Sequence, residues 1–167
     1  LEHYGVRGTP LKWFESYLSD RKQYVYLNGH ASNSIGISCG VPQGSVLGPL
    51  LFLIYINDLP NISNKLKFFL FADDTNIYFE AKNLNTLEKE INKELKSLHP
   101  WLSLNRLSLN IGKTNFVIFH PYNKRVKEFI TIKNNKKAIK EEKYVKYLGI
   151  LIDSTLSFNF HIDNICK

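Results

Sequence analysis

Lys67-Phe68-Phe69-Leu70-Phe71-Ala72-Asp73-Asp74-Thr75-Asn76-Ile77-Tyr78-Phe79 decides how the chain is read. Two short runs, rich in aromatic and β-branched residues, flank adjacent carboxylates. That is the composition of two paired strands joined by a tight turn. The spacing predicts Asp73-Asp74 as the two-residue tip of the hairpin. Like charges at the edge of an apolar core are costly unless solvent or a cation compensates them. Magnesium suits the task, because it is hard, prefers oxygen and needs only one or two protein carboxylates beside phosphates. An ordinary polar turn fits these residues equally well, since Asp is a favoured turn residue.

Upstream, Val46 to Ile56 is nearly all apolar, with Pro49 tolerable only in a first turn. A buried helix is predicted there, ending near Asn57-Asp58-Leu59-Pro60 and preceded by the breaker-rich loop Gly40-Val41-Pro42-Gln43-Gly44-Ser45. Gln23 to Leu27 reads as a strand, Asn28-Gly29 as a turn and Ser34 to Ser38 as the return strand. Thr9-Pro10 reads as a helix start, Thr9 capping and Pro10 at the first helical position.

Downstream, Asn85 and Glu88 have capping-box spacing. Leu84, Leu87, Ile91, Leu95, Leu98 and Leu102 fall on one helical face, and Pro100 is expected to kink or end that helix. Thr114 to Phe119 reads as a strand, Phe129 to Lys140 as a lysine-rich hairpin, Val145 to Ile152 as one strand and Ser154 to Phe158 as a turn. Strands and helices interleave without a regular βαβα repeat. The expected fold class is α+β, helices packed on one face of a mainly antiparallel sheet.

The 167 residues suffice for one domain, and the 44% hydrophobic and 13% aromatic fractions argue against disorder. Net charge is +7, concentrated at the C-terminal end: residues 1–120 carry +2 and residues 121–167 carry +5. A basic third suits a polyanion partner or a solvated lysine face. Cys39 and Cys166 have no metal-ligand spacing and read as reduced thiols of an intracellular protein. No apolar run is long enough to cross a bilayer, so no membrane partner is expected. The start at Leu1 and the lack of Met mark the chain as an expected piece of a longer polypeptide.

Several segments together resemble the reverse transcriptase of non-LTR (LINE-type) retrotransposons, nearest the jockey and CR1-like groups. Gly40-Val41-Pro42-Gln43-Gly44-Ser45-Val46-Leu47-Gly48-Pro49-Leu50-Leu51-Phe52 is similar to motif B of that family and Phe71-Ala72-Asp73-Asp74 to motif C. Asn105-Arg106-Leu107-Ser108-Leu109-Asn110 with Lys113-Thr114 is similar to motif D, and Tyr147-Leu148-Gly149 to motif E, the primer grip. Tyr4 to Gly8 and Trp13 to Arg21 follow the text between motifs A and B. A lone Ala-Asp-Asp is weak; the long motif B segment with Asp-Asp downstream of it is specific.

The resemblance implies a right-hand polymerase palm truncated at its N-terminus: residues 1–39 as a fingers and palm remnant, 40–152 as the palm and 153–167 as the start of the thumb. It implies an RNA template, a DNA primer and deoxynucleoside triphosphates as partners, with the rest of a retrotransposon polyprotein on either side. The implied locations are the nucleus and a cytoplasmic ribonucleoprotein. Mg²⁺, or Mn²⁺ in its place, is the implied cofactor, in a two-metal transfer that activates a primer hydroxyl and steadies the leaving oxygens. Asp73 is then the main metal ligand and Asp74 supplies further charge. Phe71 and Ala72 lie beneath the primer end, or Phe71 is plain core. Pro42, Gln43 and Gly44 contact the nucleotide and template, the glycine admitting close approach and the amide hydrogen-bonding a base edge. Lys113 faces the departing pyrophosphate, or is one surface lysine among many. Tyr147, Leu148 and Gly149 position the primer, or form an ordinary strand. The lysines from Lys124 to Lys146 grip duplex phosphates, or coat a solvated hairpin.

Motif A, with the third aspartate, is expected upstream of Leu1, so the isolated fragment is expected to bind magnesium poorly and not to polymerise. Pro100 departs from the family, which keeps a helix running there. The alternative is a non-catalytic nucleic-acid-binding remnant of a degenerate element.

Overall fold

The structure, a computed structural model, describes residues 1–123, 129–135 and 137–166, which fall into two units, Leu1–Asp58 and Leu59–Lys167.

In the first unit α1 spans Gly8–Leu18, with Arg7 in extended backbone ahead of it and no side-chain cap. Thr9 therefore lies inside the helix instead of capping it. Pro10 still falls in the first turn, where a missing N–H costs nothing. Trp13 stacks on Tyr17 at 5.4 Å. The expected strand at Gln23 to Leu27 is broken into β1 (Lys22–Gln23) and β2 (Tyr26–Leu27). Asn28 and Gly29, both at positive φ, turn the chain into β3 (His30–Ala31), the geometry that matches strand twist. Beyond the break, β4 (Ile35–Gly36) pairs with β1. At the break, Ser32 Oγ accepts the Val25 N–H (2.9 Å) and the Val25 carbonyl accepts the Ser32 N–H (2.9 Å). The return side carries the longer interruption, a bulge that ends regular pairing.

Helix α2 spans Gly48–Ile56 with Pro49 near its start, as its sequence requires. It is not the buried helix expected: only Gly48 and Ile56 are buried, while Leu50, Leu53 and Tyr55 stand exposed. An all-apolar helix has more faces than this short unit covers.

The second unit opens with a 3₁₀ turn, Leu59–Ile62, on the fully buried Leu59. Ser63 closes it: its hydroxyl donates to Glu94 Oε2 (2.7 Å) and accepts the N–H groups of Lys65 and Leu66. Strands β5 (Lys67–Phe71) and β6 (Asp74–Tyr78) form the expected antiparallel hairpin. Helix α3 spans Leu84–Glu94, capped by Asn83 Oδ1 accepting the Thr86 N–H at 2.8 Å. Asn83, not Asn85, is thus the cap. The helix tightens to a 3₁₀ turn over Leu95–Ser97 and resumes as α4 (Leu98–Leu104). Pro100 sits in the first turn of α4, so the break falls just ahead of it and the apolar stripe continues. Ile91, Leu95 and Leu98 are buried with Ile130 and Ile132.

The expected strand at Thr114 to Phe119 shrinks to β7 (Asn115–Phe116). The lysine-rich hairpin forms in part and shifted, as β8 (Lys133–Asn134) and β9 (Lys137–Ala138): Phe129 to Ile132 is not strand and Asn134 ends a strand instead of starting the turn, while Lys124 to Glu128 and Lys136 lie outside the described residues. Strand β10 (Lys140–Glu141) runs parallel to β7. Val145 to Ile152 is not one strand but a hairpin of β11 (Tyr144–Tyr147) and β12 (Ile150–Asp153), with α5 (Asn159–Ile165) after it.

Helix and strand content is mixed, as expected. Among the described residues, however, the strands form six separate two-stranded ladders, five antiparallel and one parallel, in place of a single sheet backed by helices. Four of the six ladders pair strands of only two residues, too short to present an edge to a third strand. No described helix is long and apolar enough to cross a membrane.

Candidate active site

The hairpin β5–β6 sets the candidate site. Phe71 pairs with Asp74, so the two-residue tip is Ala72-Asp73, one residue earlier than the Asp-Asp tip expected from the sequence. Ala72 takes the left-handed conformation at φ 49°. A Cβ is disfavoured there, at a cost of about 1–2 kcal/mol. The correction has a chemical consequence. Asp73 stands at the apex, while Asp74 is a strand residue with a defined face.

Directly paired residues share a face of the ladder. Asp74 therefore lies with Phe71, Phe69, Asn76, Lys67 and Tyr78, and Phe68, Leu70, Thr75 and Ile77 lie on the other side. The Asp74 face is the open one: Phe69 and Phe71 are more than half exposed, whereas Phe68, Leu70 and Ile77 are half-buried. Farther along it, the Lys67 ammonium lies 5.6 Å from the centre of the Tyr78 ring. The Tyr78 hydroxyl donates to Glu80 at 3.0 Å, which raises its pKa above the ordinary phenol value.

Asp73 and Asp74 are both exposed. Neither carboxylate accepts a hydrogen bond or forms an ion pair among the described residues. Their oxygens are hard donors with open coordination, which fits a divalent cation whose other ligands are phosphate and water. No three His, Cys, Asp or Glu side chains gather into a metal-holding group among the described residues.

Pro42, Gln43 and Gly44 lie in the first unit, exposed, in the loop that leads to α2. Ser45 closes that loop, its hydroxyl donating to the Pro42 carbonyl (2.8 Å) and accepting the Gly48 N–H (3.0 Å). A Cβ at Gly48 would stand 2.9 Å from Ser45 Oγ, so only glycine leaves this closure intact. Sequence reading assigned Gly48 no such part.

Lys113 is exposed in a turn where its N–H and that of Thr114 both donate to the Asn110 carbonyl at 3.1 Å. Tyr147 ends β11 half-buried, and Leu148 (φ 48°) and Gly149 (φ 90°) form the turn into β12. A turn positive at both central positions needs glycine at one of them, and Gly149 provides it. No strand ladder joins β5–β6 to β11–β12 among the described residues.

One carboxylate escaped sequence reading altogether. Asp153, at the end of β12, is only 3% exposed. Its Oδ1 accepts from the Thr155 hydroxyl (2.7 Å), the Thr155 N–H (3.0 Å) and the Ser157 N–H (3.2 Å). Its Oδ2 accepts from the Phe158 N–H (2.7 Å) and the Ser157 hydroxyl (3.1 Å). Burial pushes this carboxyl's pKa up. The bonds from Thr155, Ser157 and Phe158 outweigh it and hold the group well below the usual carboxylate range. Within the same turn Leu156 (φ 57°) and Phe158 (φ 59°) are left-handed. Such conformations cost on the order of 1–3 kcal/mol each and persist only where neighbours over-determine them. Asp-Ser-Thr-Leu-Ser was the available signal, since Asp side chains bond backbone N–H groups just downstream.

Residues 1–152 match the family described as reverse transcriptase (RNA-dependent DNA polymerase). Among curated relatives, the chain is 29% identical over 158 residues to the RNA-directed DNA polymerase from mobile element jockey of Drosophila melanogaster, covering 90% of this chain and 17% of that protein. It is 30% identical over 169 residues to the probable RNA-directed DNA polymerase from transposon BS of the same organism, with 96% and 18% covered. The third is a retrovirus-related Pol polyprotein from type-1 retrotransposable element R1 of Bradysia coprophila, 28% identical over 148 residues, with 87% and 14% covered. The chain thus spans about a sixth of the length of such relatives. No solved structure matches it.

Proposed function

The chain belongs to the reverse transcriptase family, and on that premise we propose that it is part of the catalytic core of an RNA-directed DNA polymerase of a non-LTR retrotransposon. The observation that carries the reading is the β5–β6 tip: two exposed carboxylates with no partner among the described residues, on the segment that resembles the family's Asp-Asp motif. In this reading the chain forms part of a palm, and an RNA template, a DNA primer and deoxynucleoside triphosphates are its partners within a longer polyprotein.

Asp73 and Asp74 would hold Mg²⁺ or Mn²⁺, with further ligands from outside this chain. When bound, the metal lowers the pKa of the primer hydroxyl and neutralises charge on the transferring phosphate. The chain's own residues do the rest. The bend, left-handed at Ala72, sets Asp73 at the apex. Phe71 and Phe69 give the Asp74 face a flat, water-excluding floor against which a sugar and base can rest. Lys113 offers a cation to departing pyrophosphate. Pro42, Gln43 and Gly44, held by Ser45 and Gly48, present backbone and an amide to the nascent base pair. Tyr147, Leu148 and Gly149 present a hairpin turn to the primer strand.

The test is RNA-templated primer extension by the full parent polypeptide. Asp73→Asn is expected to abolish incorporation without weakening binding of the primer–template. Undiminished incorporation by Asp73→Asn would overturn the assignment.

A further inference from the structure

Arg21 has no part in the chemistry above, yet it ties the end of α1 to the entry of the loop Gly40–Ser45. It follows α1 after a left-handed Asp20 (φ 52°) and stands immediately before β1. Its carbonyl accepts the Ile37 N–H at 2.8 Å, which carries the β1–β4 ladder one step past the pair Lys22 and Gly36. The guanidinium continues where the backbone stops: Nη2 donates to the Gly40 carbonyl at 2.9 Å.

That bond anchors the loop at its entry. Among the described residues, no other hydrogen bond reaches Ser38, Cys39, Gly40 or Val41. The exit is anchored by Ser45, which bonds Pro42 and the Gly48 N–H. Pro42, Gln43 and Gly44 lie exposed between the two anchors. Gly40 takes φ 83°, and glycine has little intrinsic preference among backbone conformations, so an unanchored entry would be free to pivot there. Arg21 is half-buried and forms no ion pair among the described residues. Its Nε is buried and has no hydrogen-bond partner there. The one bond its side chain makes is therefore to the loop. Being charge-assisted, that bond is roughly twice as strong as a neutral one.

We infer that Arg21 is a positioning residue for nucleotide selection, holding the Gly40 carbonyl so that Pro42, Gln43 and Gly44 meet the nascent base pair in one geometry. The inference rests on the proposed polymerase reading of that loop. Arg21 touches no reacting atom; it acts through the loop whose entry it fixes. Loss of the anchor should weaken binding of the correct nucleotide and relax its discrimination from a mismatched one, while leaving the metal-dependent step intact.

The experiment uses the full parent polypeptide with a DNA primer annealed to an RNA template, adding one nucleotide at a time. Arg21→Ala is expected to raise KM for the correct nucleotide by about tenfold and to lower its preference over a mismatched nucleotide. The rate at saturating nucleotide should stay within about threefold of wild type. Hydrogen exchange over residues 38–44 should quicken in the same variant. Arg21→Lys keeps the charge but offers a single donor on a shorter arm, and should fall between wild type and Arg21→Ala in all three readouts. If Arg21→Ala no longer binds the duplex, Arg21→Lys decides by the same criteria. Wild-type KM and discrimination would overturn the inference, as would a fall in rate with both unchanged. A parent polypeptide that copies no RNA would instead contradict the polymerase reading; exchange over residues 38–44 would then still decide whether Arg21 holds the loop, and unchanged exchange would overturn that.

Discussion

Two hairpins of this chain each end on aspartate beside left-handed backbone, and they treat the carboxylate in opposite ways. At the β5–β6 tip, Asp73 and Asp74 are exposed and accept no hydrogen bond from the described residues. At the end of β12, Asp153 is buried and accepts five. Folding alone explains the second, where the charge organises its own turn. At the first, a strained Ala72 accompanies charge that the described residues leave to solvent. Exposed charge beside a strained bend is what the proposed metal site requires.

The contrast can be broken by moving the consequences of each carboxylate. The largest expected effect is on chemistry: Asp73→Ala in the parent polypeptide should lower RNA-templated incorporation by roughly 10³-fold or more, the scale on which enzymes depend on their charge-stabilising groups. Primer extension reads it directly. Next comes stability. Asp153→Ala strands buried donors and should cost this chain about 2–3 kcal/mol in urea unfolding. Asp73→Ala and Asp74→Ala should each change it by less than about 0.5 kcal/mol, as exposed, unbonded residues do. The reverse ranking would contradict the division of roles.

A pH titration sharpens the same contrast. The folded-state pKa of Asp153 is depressed, so its stabilising contribution is complete above the unfolded carboxylate value of about 4. That contribution is lost progressively as pH falls from there towards the folded value. Unfolding measured from pH 7 to pH 2 should show this acid loss in wild type and in Asp73→Ala, and less of it in Asp153→Asn. The smallest effect is on backbone strain. Ala72→Gly should stabilise the hairpin by about 0.5–1 kcal/mol, since glycine tolerates positive φ but is freer in the unfolded chain.

The regular parts of this molecule were legible because they rest on local pattern. The aromatic runs around Asp73, the 3–4 spacing from Leu84 to Leu102 and Asn28-Gly29 all formed the elements they predict. What failed was local chemistry without a distinctive residue. Nothing in an alanine announces φ 49°, so the tip was misplaced by one position. Leu148-Gly149 is hidden in an apolar run that reads as continuous strand, although an interior glycine was a usable warning. Asp153 lay in an Asx-type pattern overlooked beside the more conspicuous pair. Assembly of strands into a sheet depends on distant partners, and no local window carries that information. The candidate site was legible as residues, through likeness to a family, and illegible as geometry.

The most direct measurement replaces Mg²⁺ by Fe²⁺ in the parent polypeptide with bound primer–template and adds peroxide, so that radicals cut the backbone beside the metal. The account predicts cleavage centred on residues 71–75 that disappears in the double variant Asp73→Asn, Asp74→Asn. Cleavage that spares that turn, or survives the double substitution undiminished, would contradict it.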